Sequence, residues 1–170
     1  MDKDWTDHAL ERWSSLSPKL DMESSQVVER IGRIALQFGR WQDEVFGRHG
    51  LNRGEVGVLY ALRGVGPPPR LSPTQLSRVL MLSSAGITSR LDRLERRQLV
   101  ARLTDPEDRR GILVELTEQG SKAADLAVAA GAEATGRMMS GLTREELKTL
   151  GRLLRKLQAG LEPASGPGNG

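Results

Sequence analysis

The chain has 170 residues, no cysteine and two histidines, His8 and His49. Its length suits one domain with an appended element, which can bury a core without disulfides or metals. The missing thiol excludes disulfides, cysteine nucleophiles and cysteine zinc sites, and the two distant histidines leave no metal cage. Apolar runs fall far short of the roughly 18 residues that span a bilayer, and the N-terminus has no signal-peptide pattern. We therefore expect a cytoplasmic protein with no membrane partner, no metal and no cofactor.

The net charge of +3 is distributed unevenly along the chain. Eight of the 25 basic residues, all arginines, and five of the 22 acidic residues lie between Arg78 and Arg110, which leaves 17 of each sign elsewhere. Arginine suits bidentate recognition of phosphate and of base edges. This segment is therefore a candidate nucleic-acid surface.

Helical patterns fill the first third of the chain. Residues 9–16 predict a short amphipathic helix, residues 24–46 a long one and residues 52–63 a third, with Asn52 as its N-cap. In the long helix, apolar residues recur at alternating steps of four and three, the spacing that favours packing against a partner helix. These residues are Val27, Ile31, Ile34, Phe38, Trp41 and Val45. A proline-rich loop, 64–69, follows the third helix.

Two short helices joined by a tight turn come next. Ser72 to Gln75 forms a capping box that opens the first helix, and residues 84–97 predict the second. Ile87, Leu91 and Leu94 share the core face of the second helix, and small, hydroxylated and charged side chains share the other. An ion pair between Asp92 and Arg96, one turn apart, is expected. The pattern indicates a helix-turn-helix.

A charged hairpin follows the helix-turn-helix. Residues 99–104 and 112–116 alternate like strands, and 105–111 forms the tip between them. An extended arm points Asp108 and Arg110 to the same side, where they can pair, and leaves Arg109 to point outwards. A protruding arginine suits the narrow minor groove of DNA, where negative potential is concentrated. Two further helices, 118–139 and 144–161, complete the pattern, and the polar tail 162–170 is expected to be disordered.

Five short motifs together resemble the MarR family of winged helix-turn-helix regulators, over residues 24–161. They are LSRVL (76–80), SSAGITSRLDRL (83–94), LVAR (99–102), DPEDRR (105–110) and LTEQG (116–120). The resemblance implies a mainly α fold with a small β-hairpin wing. It also implies a homodimer whose two lobes read successive major grooves of a pseudo-palindromic operator, most often as a repressor. It implies no catalytic residue.

The resemblance assigns roles by position. Residues 1–20 form an N-terminal extension, 21–50 a dimerisation helix, 51–117 the DNA-binding lobe and 118–161 the C-terminal dimerisation helices. The recognition-helix positions are Ser84, Thr88, Ser89, Arg90 and Arg93, and the wing positions are Asp108, Arg109 and Arg110. Arg109 is expected in the minor groove, braced by the pair Asp108–Arg110.

Family members commonly release DNA when a small aromatic or phenolic molecule binds between the dimer region and the lobe. The corresponding candidates are Trp13, Phe38, Trp41, Val58, Leu62 and Arg63. Phe38 and Trp41 also lie on the apolar stripe, so their role as dimer core remains open. The N-terminal segment with its Trp resembles the urate-responsive branch, although Gly57 stands where that branch has an Asp. Without cysteine, sensing by thiol oxidation is excluded.

Two alternatives stand beside the regulator. A winged-helix module that binds a protein instead of DNA is supported by acids near the recognition surface, at Asp92, Glu95, Asp105, Glu107 and Asp108. An enzyme is disfavoured because the sequence contains no glycine-rich phosphate loop, nucleophile motif or metal-ligand spacing.

Overall fold

A computed structural model describes residues 3–19, 21–108 and 111–161. Arg109, Arg110 and the tail 162–170 lie outside the described residues. The described part of the chain contains seven helices and three strands: α1 (Trp5–Leu16), α2 (Met22–Gly47), α3 (Arg53–Gly64), β1 (Arg70–Leu71), α4 (Pro73–Leu80), α5 (Ser84–Arg96), β2 (Val100–Thr104), β3 (Ile112–Leu116), α6 (Glu118–Met138) and α7 (Arg144–Leu161). The predicted fold class, mainly α with a small hairpin wing, is confirmed.

Side-chain caps fix where the helices begin. Asn52 and Ser72 each cap a helix, as the sequence predicted, and each accepts a backbone N–H three residues later. The complete capping box was predicted at Ser72, and the structure shows one at Asn52 as well. Asp4 and Asp7 form a third box, so α1 begins four residues earlier than its apolar pattern suggested. Asp21 accepts from the backbone of Glu23 and Ser24 and likewise starts α2 earlier. Each cap satisfies donors that the first turn of a helix leaves free.

The three strands form one antiparallel sheet in the order β1–β3–β2. In the hairpin, Val100 lies opposite Leu116 and Arg102 opposite Val114. The edge strand β1 was not predicted, because two residues are too short to show an alternating pattern. It pairs Leu71 with Val114 and so joins the start of the helix-turn-helix to the hairpin.

The core of the lobe lies where α3, α4, α5 and the sheet meet. Ile87, Leu91 and Leu94 of α5 are almost wholly buried, which confirms the predicted core face of that helix. The fully buried residues of the other elements are Val58, Leu59, Leu62, Leu76 and Val114. One face of α5 is therefore fixed by packing, and the other is left for solvent or a ligand.

The helix α1 is attached to α2 mainly by charge. Arg30 donates to Asp7 at 2.7 Å and to Asp4 at 3.3 Å. The guanidinium of Arg33 lies over the ring of Trp5, 4.5 Å from its centroid. The N-terminal extension thus contains a folded helix that contacts α2.

The chain divides into two compact units, residues 1–130 and 131–170. The first unit contains α1 to β3 and most of α6. The second contains the end of α6 and α7, and in α7 no residue is buried. The division falls inside α6 and coincides with no predicted boundary. The assignment of 21–50 and 118–161 to dimerisation stays a prediction. None of the helices among the described residues is long and apolar enough to cross a membrane.

Candidate nucleic-acid interface

A tight turn holds α4 and α5 in the geometry of a helix-turn-helix. Met81 ends α4 in the left-handed region, with φ of 51°. The N–H of Leu82 then donates to the carbonyl of Ser77 at 3.0 Å, and the Ser83 hydroxyl accepts the N–H of Gly86 to cap α5. These bonds fix the angle at which the N-terminus of α5 leaves the lobe.

Small hydroxylated side chains occupy the exposed start of α5. Ser84, Thr88 and Ser89, three of the predicted DNA contacts, are all exposed. The hydroxyl of Thr88 donates to the carbonyl of Ser84 at 2.9 Å, which leaves its lone pairs able to accept. Short side chains let the backbone of a recognition helix approach base edges closely, and hydroxyls can donate to or accept from them.

The two predicted arginines of α5 lie on the side facing α3. Arg90 is half-buried, and a Cβ added to Gly54 would lie 2.8 Å from its Cζ, so Arg90 uses the space that this glycine leaves. The Nε of Arg93 is 3.7 Å from Oε1 of Glu55, whose side chain is only 5% exposed. Both side chains must turn away from α3 to reach DNA.

Glu55 is a buried acid with several donors around it. Arg97 donates to its Oε2 at 3.2 Å, and the backbone N–H of Asn52 donates to the same atom at 3.0 Å. A buried carboxylate needs such partners to offset its desolvation. Glu55 therefore joins the first turn of α3 to the last two turns of α5.

Arg102 of β2 binds two acids on the opposite side of α5. Its Nη2 lies 2.5 Å from Oδ1 of Asp92 and its Nη1 2.6 Å from Oε2 of Glu95. The expected ion pair between Asp92 and Arg96 is not the one seen. Arg96 instead donates from Nε to the carbonyl of Asp92 at 3.2 Å, because the Asp92 carboxylate is taken by Arg102.

The described part of the wing tip is a hydrogen-bonded turn. The N–H of Asp105 donates to the carbonyl of Gly111 at 3.0 Å, and the N–H of Gly111 donates to the carbonyl of Asp108 at 2.7 Å. The carboxylate of Asp105 accepts the N–H of Glu107. Arg109 and Arg110 lie outside the described residues, so the minor-groove role and the Asp108–Arg110 pair stay predictions.

Sequence reasoning missed Glu55, Arg97 and Arg102. Their contacts join residues separated by 7 to 42 positions, which no local periodicity reveals. One indication was present, since Asp92 and Glu95 are three residues apart and so share a helix face. An arginine in the next strand is the natural partner of two such acids.

The predicted effector residues are placed in different surroundings. Val58 and Leu62 are fully buried in the lobe core. Phe38 and Trp41 are half-buried on α2 and stack with their centroids 5.5 Å apart. Trp13 is 55% exposed on α1. An open groove of about 650 Å³ between α1 and α2 is lined by other residues, among them Leu10, Met22 and Arg30.

Arg63, the last candidate, forms an ion pair with the side chain of Asp125 on α6. Its Nε and Nη2 donate to the two carboxylate oxygens at 2.8 and 3.1 Å, and this acid raises the pKa of Arg63. One turn earlier, the hydroxyl of Tyr60 donates to the carbonyl of Ala127 at 2.7 Å, and burial raises the pKa of that hydroxyl. Together these contacts attach α3 to the first part of α6. Within the described residues no group of three or more His, Asp or Glu side chains could hold a metal ion.

Comparison with known proteins places this geometry in a family. A family model described as the MarR family matches residues 49–111, which run from the end of α2 to the wing tip. The regulator PecS of Dickeya dadantii is 32% identical over 149 residues, 88% of this chain and 90% of the relative. The chain belongs to the MarR family. It is a transcriptional regulator rather than an enzyme.

Solved structures agree with this assignment. The MarR-family regulator Sco3205 of Streptomyces coelicolor, solved in complex with DNA, superposes with a TM-score of 0.78 at 25% identity, over 88% of this chain and 95% of that one. BpsR of Bordetella bronchiseptica, whose DNA binding is regulated by 6-hydroxynicotinic acid, superposes with a TM-score of 0.63 at 26% identity, over 76% and 98%. DNA is therefore the partner that the comparisons support for this MarR-family chain.

Proposed function

We propose that this chain is a homodimeric repressor that binds a pseudo-palindromic operator and leaves it when a small aromatic or phenolic molecule binds. The observation that carries the proposal is the exposed start of α5, where Ser84, Thr88 and Ser89 face outwards from a rigid helix-turn-helix. Such a surface can enter a major groove, and the adjacent hairpin can follow the neighbouring minor groove.

The proposed DNA contacts differ in strength. The three hydroxylated side chains read base edges, and Arg109, braced by Asp108 and Arg110, enters the minor groove. Arg90 and Arg93 lie towards α3, so they add phosphate contacts only after turning outwards. We therefore expect Arg109 to contribute more to affinity than either of them.

Exposed apolar faces support the homodimer. On α2, Val27, Ile31 and Ile34 are between 36% and 54% exposed. On α7 a leucine stripe is also exposed: Leu147, Leu150, Leu154, Leu157 and Leu161. Faces of this kind on a soluble chain mark interaction sites, and the sequence spacing on both helices suits helix-to-helix packing.

The proposed effector is a small aromatic or phenolic compound, as 6-hydroxynicotinic acid is for BpsR. The half-buried pair Phe38–Trp41 offers ring faces for stacking. Arg63 is bound to Asp125 and offers its cation to a ligand only after leaving that carboxylate. Trp13, the remaining candidate, is 55% exposed on α1. Val58 and Leu62 are too deeply buried in the lobe core to touch a ligand in this conformation.

The same proposal fixes where the protein acts. A bacterial regulator that binds an operator works in the cytoplasm, on the nucleoid while DNA-bound. The winged-helix module that binds protein instead has less support than the sequence alone suggested, because Arg102 engages two of the acids on which it relied, Asp92 and Glu95.

A salt series tests the proposal. Fluorescence anisotropy is recorded for the full chain with the DNA upstream of its own gene and with a scrambled duplex. Neutralising about 6–10 phosphates should weaken operator binding roughly 10³–10⁵-fold between about 50 and 200 mM salt. Arg109→Ala should bind more weakly with the dimer intact. Weak binding that ignores sequence, or capture of a protein partner without DNA affinity, would overturn the proposal.

A further inference from the structure

Arg102 connects the two elements that are proposed to read DNA. It lies in β2, the strand that leads to the wing tip, and its guanidinium binds Asp92 and Glu95 on the recognition helix α5. The two contacts use different nitrogens and acids one turn apart on the helix. Two charge-assisted bonds to separate residues fix the orientation of the strand as well as its distance.

The surroundings of Arg102 make this connection stiff. Its side chain is only 29% exposed, and its backbone lies in the antiparallel ladder opposite Val114. The contacts of Arg102 therefore also constrain the end of β2, at Thr104, from which the wing tip begins. Within the described part of the chain, this arginine is the one on the hairpin whose ion pairs reach α5.

We propose that Arg102 is a positioning residue for operator recognition, which rests on the proposed function above. It holds the wing in register with α5, so that the minor-groove and major-groove contacts form together. Phosphate contacts tolerate small displacements and carry no sequence information, whereas base contacts need defined geometry. Loss of Arg102 should therefore reduce the preference for operator over other DNA.

Charge alone offers a competing explanation. Arg102 offsets one of the two negative charges of Asp92 and Glu95 beside the proposed DNA-binding surface, and without it both acids would repel phosphates. That effect would weaken binding to every duplex alike. A triple variant with three neutral side chains, called the neutral triple variant, separates the two explanations. It combines Arg102→Gln with Asp92→Asn and Glu95→Gln, which removes the connection and the acids together. The net charge of the protein rises by one.

The test measures anisotropy of the full chain with an operator selected from random duplexes and with its scrambled version. Arg102→Gln should lower the ratio of operator to scrambled affinity by about tenfold, similar to the loss of one base contact. The neutral triple variant should bind the scrambled duplex at least as well as the wild type, yet keep the lowered ratio. Arg102→Lys should restore part of the ratio, because one ammonium can still bind one acid.

If the wild type prefers the operator, either of two results would overturn the inference. One is a triple variant whose ratio of operator to scrambled affinity equals that of the wild type, which would assign the effect to charge alone. The other is an equal loss of both affinities in Arg102→Gln. Circular dichroism checks that each variant folds. If Arg102→Gln does not fold, the double variant Asp92→Asn with Glu95→Gln, which keeps Arg102 but removes both of its partners, replaces it in the same measurement. A wild type without sequence preference would overturn the proposed function instead.

Discussion

Glu55, on α3, accepts a 3.2 Å hydrogen bond from Arg97, which lies 42 residues later in the chain, directly after α5. The same carboxylate lies 3.7 Å from Arg93 and is 5% exposed. Two of the arginines that give the segment from 78 to 110 its basic character are thus paired with an acid of the lobe. Charges fix α5 on the side that faces α3, and its exposed start is the surface proposed to bind DNA.

The first prediction concerns Glu55→Gln. The amide oxygen can still accept the Asn52 N–H, but the charge that holds Arg93 and Arg97 is lost. We expect the free energy of unfolding to fall by about 1.5–3 kcal/mol in denaturant titration, the range for a hydrogen bond to a charged group. The released arginines should raise affinity for non-specific DNA and increase its salt slope by about one. An unchanged salt slope together with unchanged stability would contradict this role.

The second prediction compares two glycines of α6. A Cβ added to Gly120 would collide with the carbonyl of Leu99, whereas one added to Gly136 would meet nothing. We expect Gly120→Ala to destabilise the lobe by at least about 1–3 kcal/mol through overpacking. Gly136→Ala should be neutral or stabilise by about 0.5–1 kcal/mol, since alanine favours a helix. Urea unfolding measures both free energies of unfolding. Equal effects at the two positions would contradict the close contact between Gly120 and the backbone of Leu99.

The third prediction concerns the leucine stripe of α7. Leu154 is 44% exposed and, with 3.6 residues per turn, faces away from Arg152. We expect Leu154→Glu to convert a dimer to a monomer in sedimentation velocity, because a carboxylate would be buried in an apolar interface. Arg152→Glu, on the opposite face, is the control and should stay dimeric. Dimers of equal strength in both variants would place the interface elsewhere.

The fourth prediction concerns acid and the helix α1. Hydrogen bonds from the Asp4 backbone and from Arg30 hold the pKa of Asp7 below its ordinary value of 3.8. A lowered pKa means that Asp7 stabilises the folded state above that ordinary value and loses this effect as pH falls below it. The contact between α1 and α2 should therefore loosen in acid below about pH 4.

This loosening can be followed by the indole N–H resonance of Trp5, whose ring lies against Arg33. Asp7→Asn should loosen the helix already at neutral pH and remove the acid transition. An acid transition of unchanged size in Asp7→Asn would assign it to another group.

The sequence predicted most of the fold because its helix starts are local. The capping boxes at Asn52 and Ser72 involve residues three positions apart, and the core face of α5 follows from Ile87, Leu91 and Leu94 alone. The exposed side of α5, with Ser84, Thr88 and Ser89, could be predicted in the same way. These features depend on the chemistry of a single turn or a single helix.

The rest depends on contacts between distant segments. Asp92 and Glu95 share a helix face, which indicates a common partner, but the choice of Arg102 over Arg96 depends on how β2 crosses α5. The position of Arg90 depends in the same way on the space beside Gly54. The two-residue strand β1 exists only because β3 supplies its partners. Tertiary packing decides which arginines remain available for DNA.

Selection from random duplexes shows whether a dimer of this chain reads DNA sequence. The full chain is incubated with a random pool, bound duplexes are recovered over several rounds, and the enriched sequences are aligned. We expect the enriched sequences to share a pseudo-palindrome whose half-sites lie one helical turn, ~10 base pairs, apart. A pool that yields no motif, or only a single half-site, would contradict it.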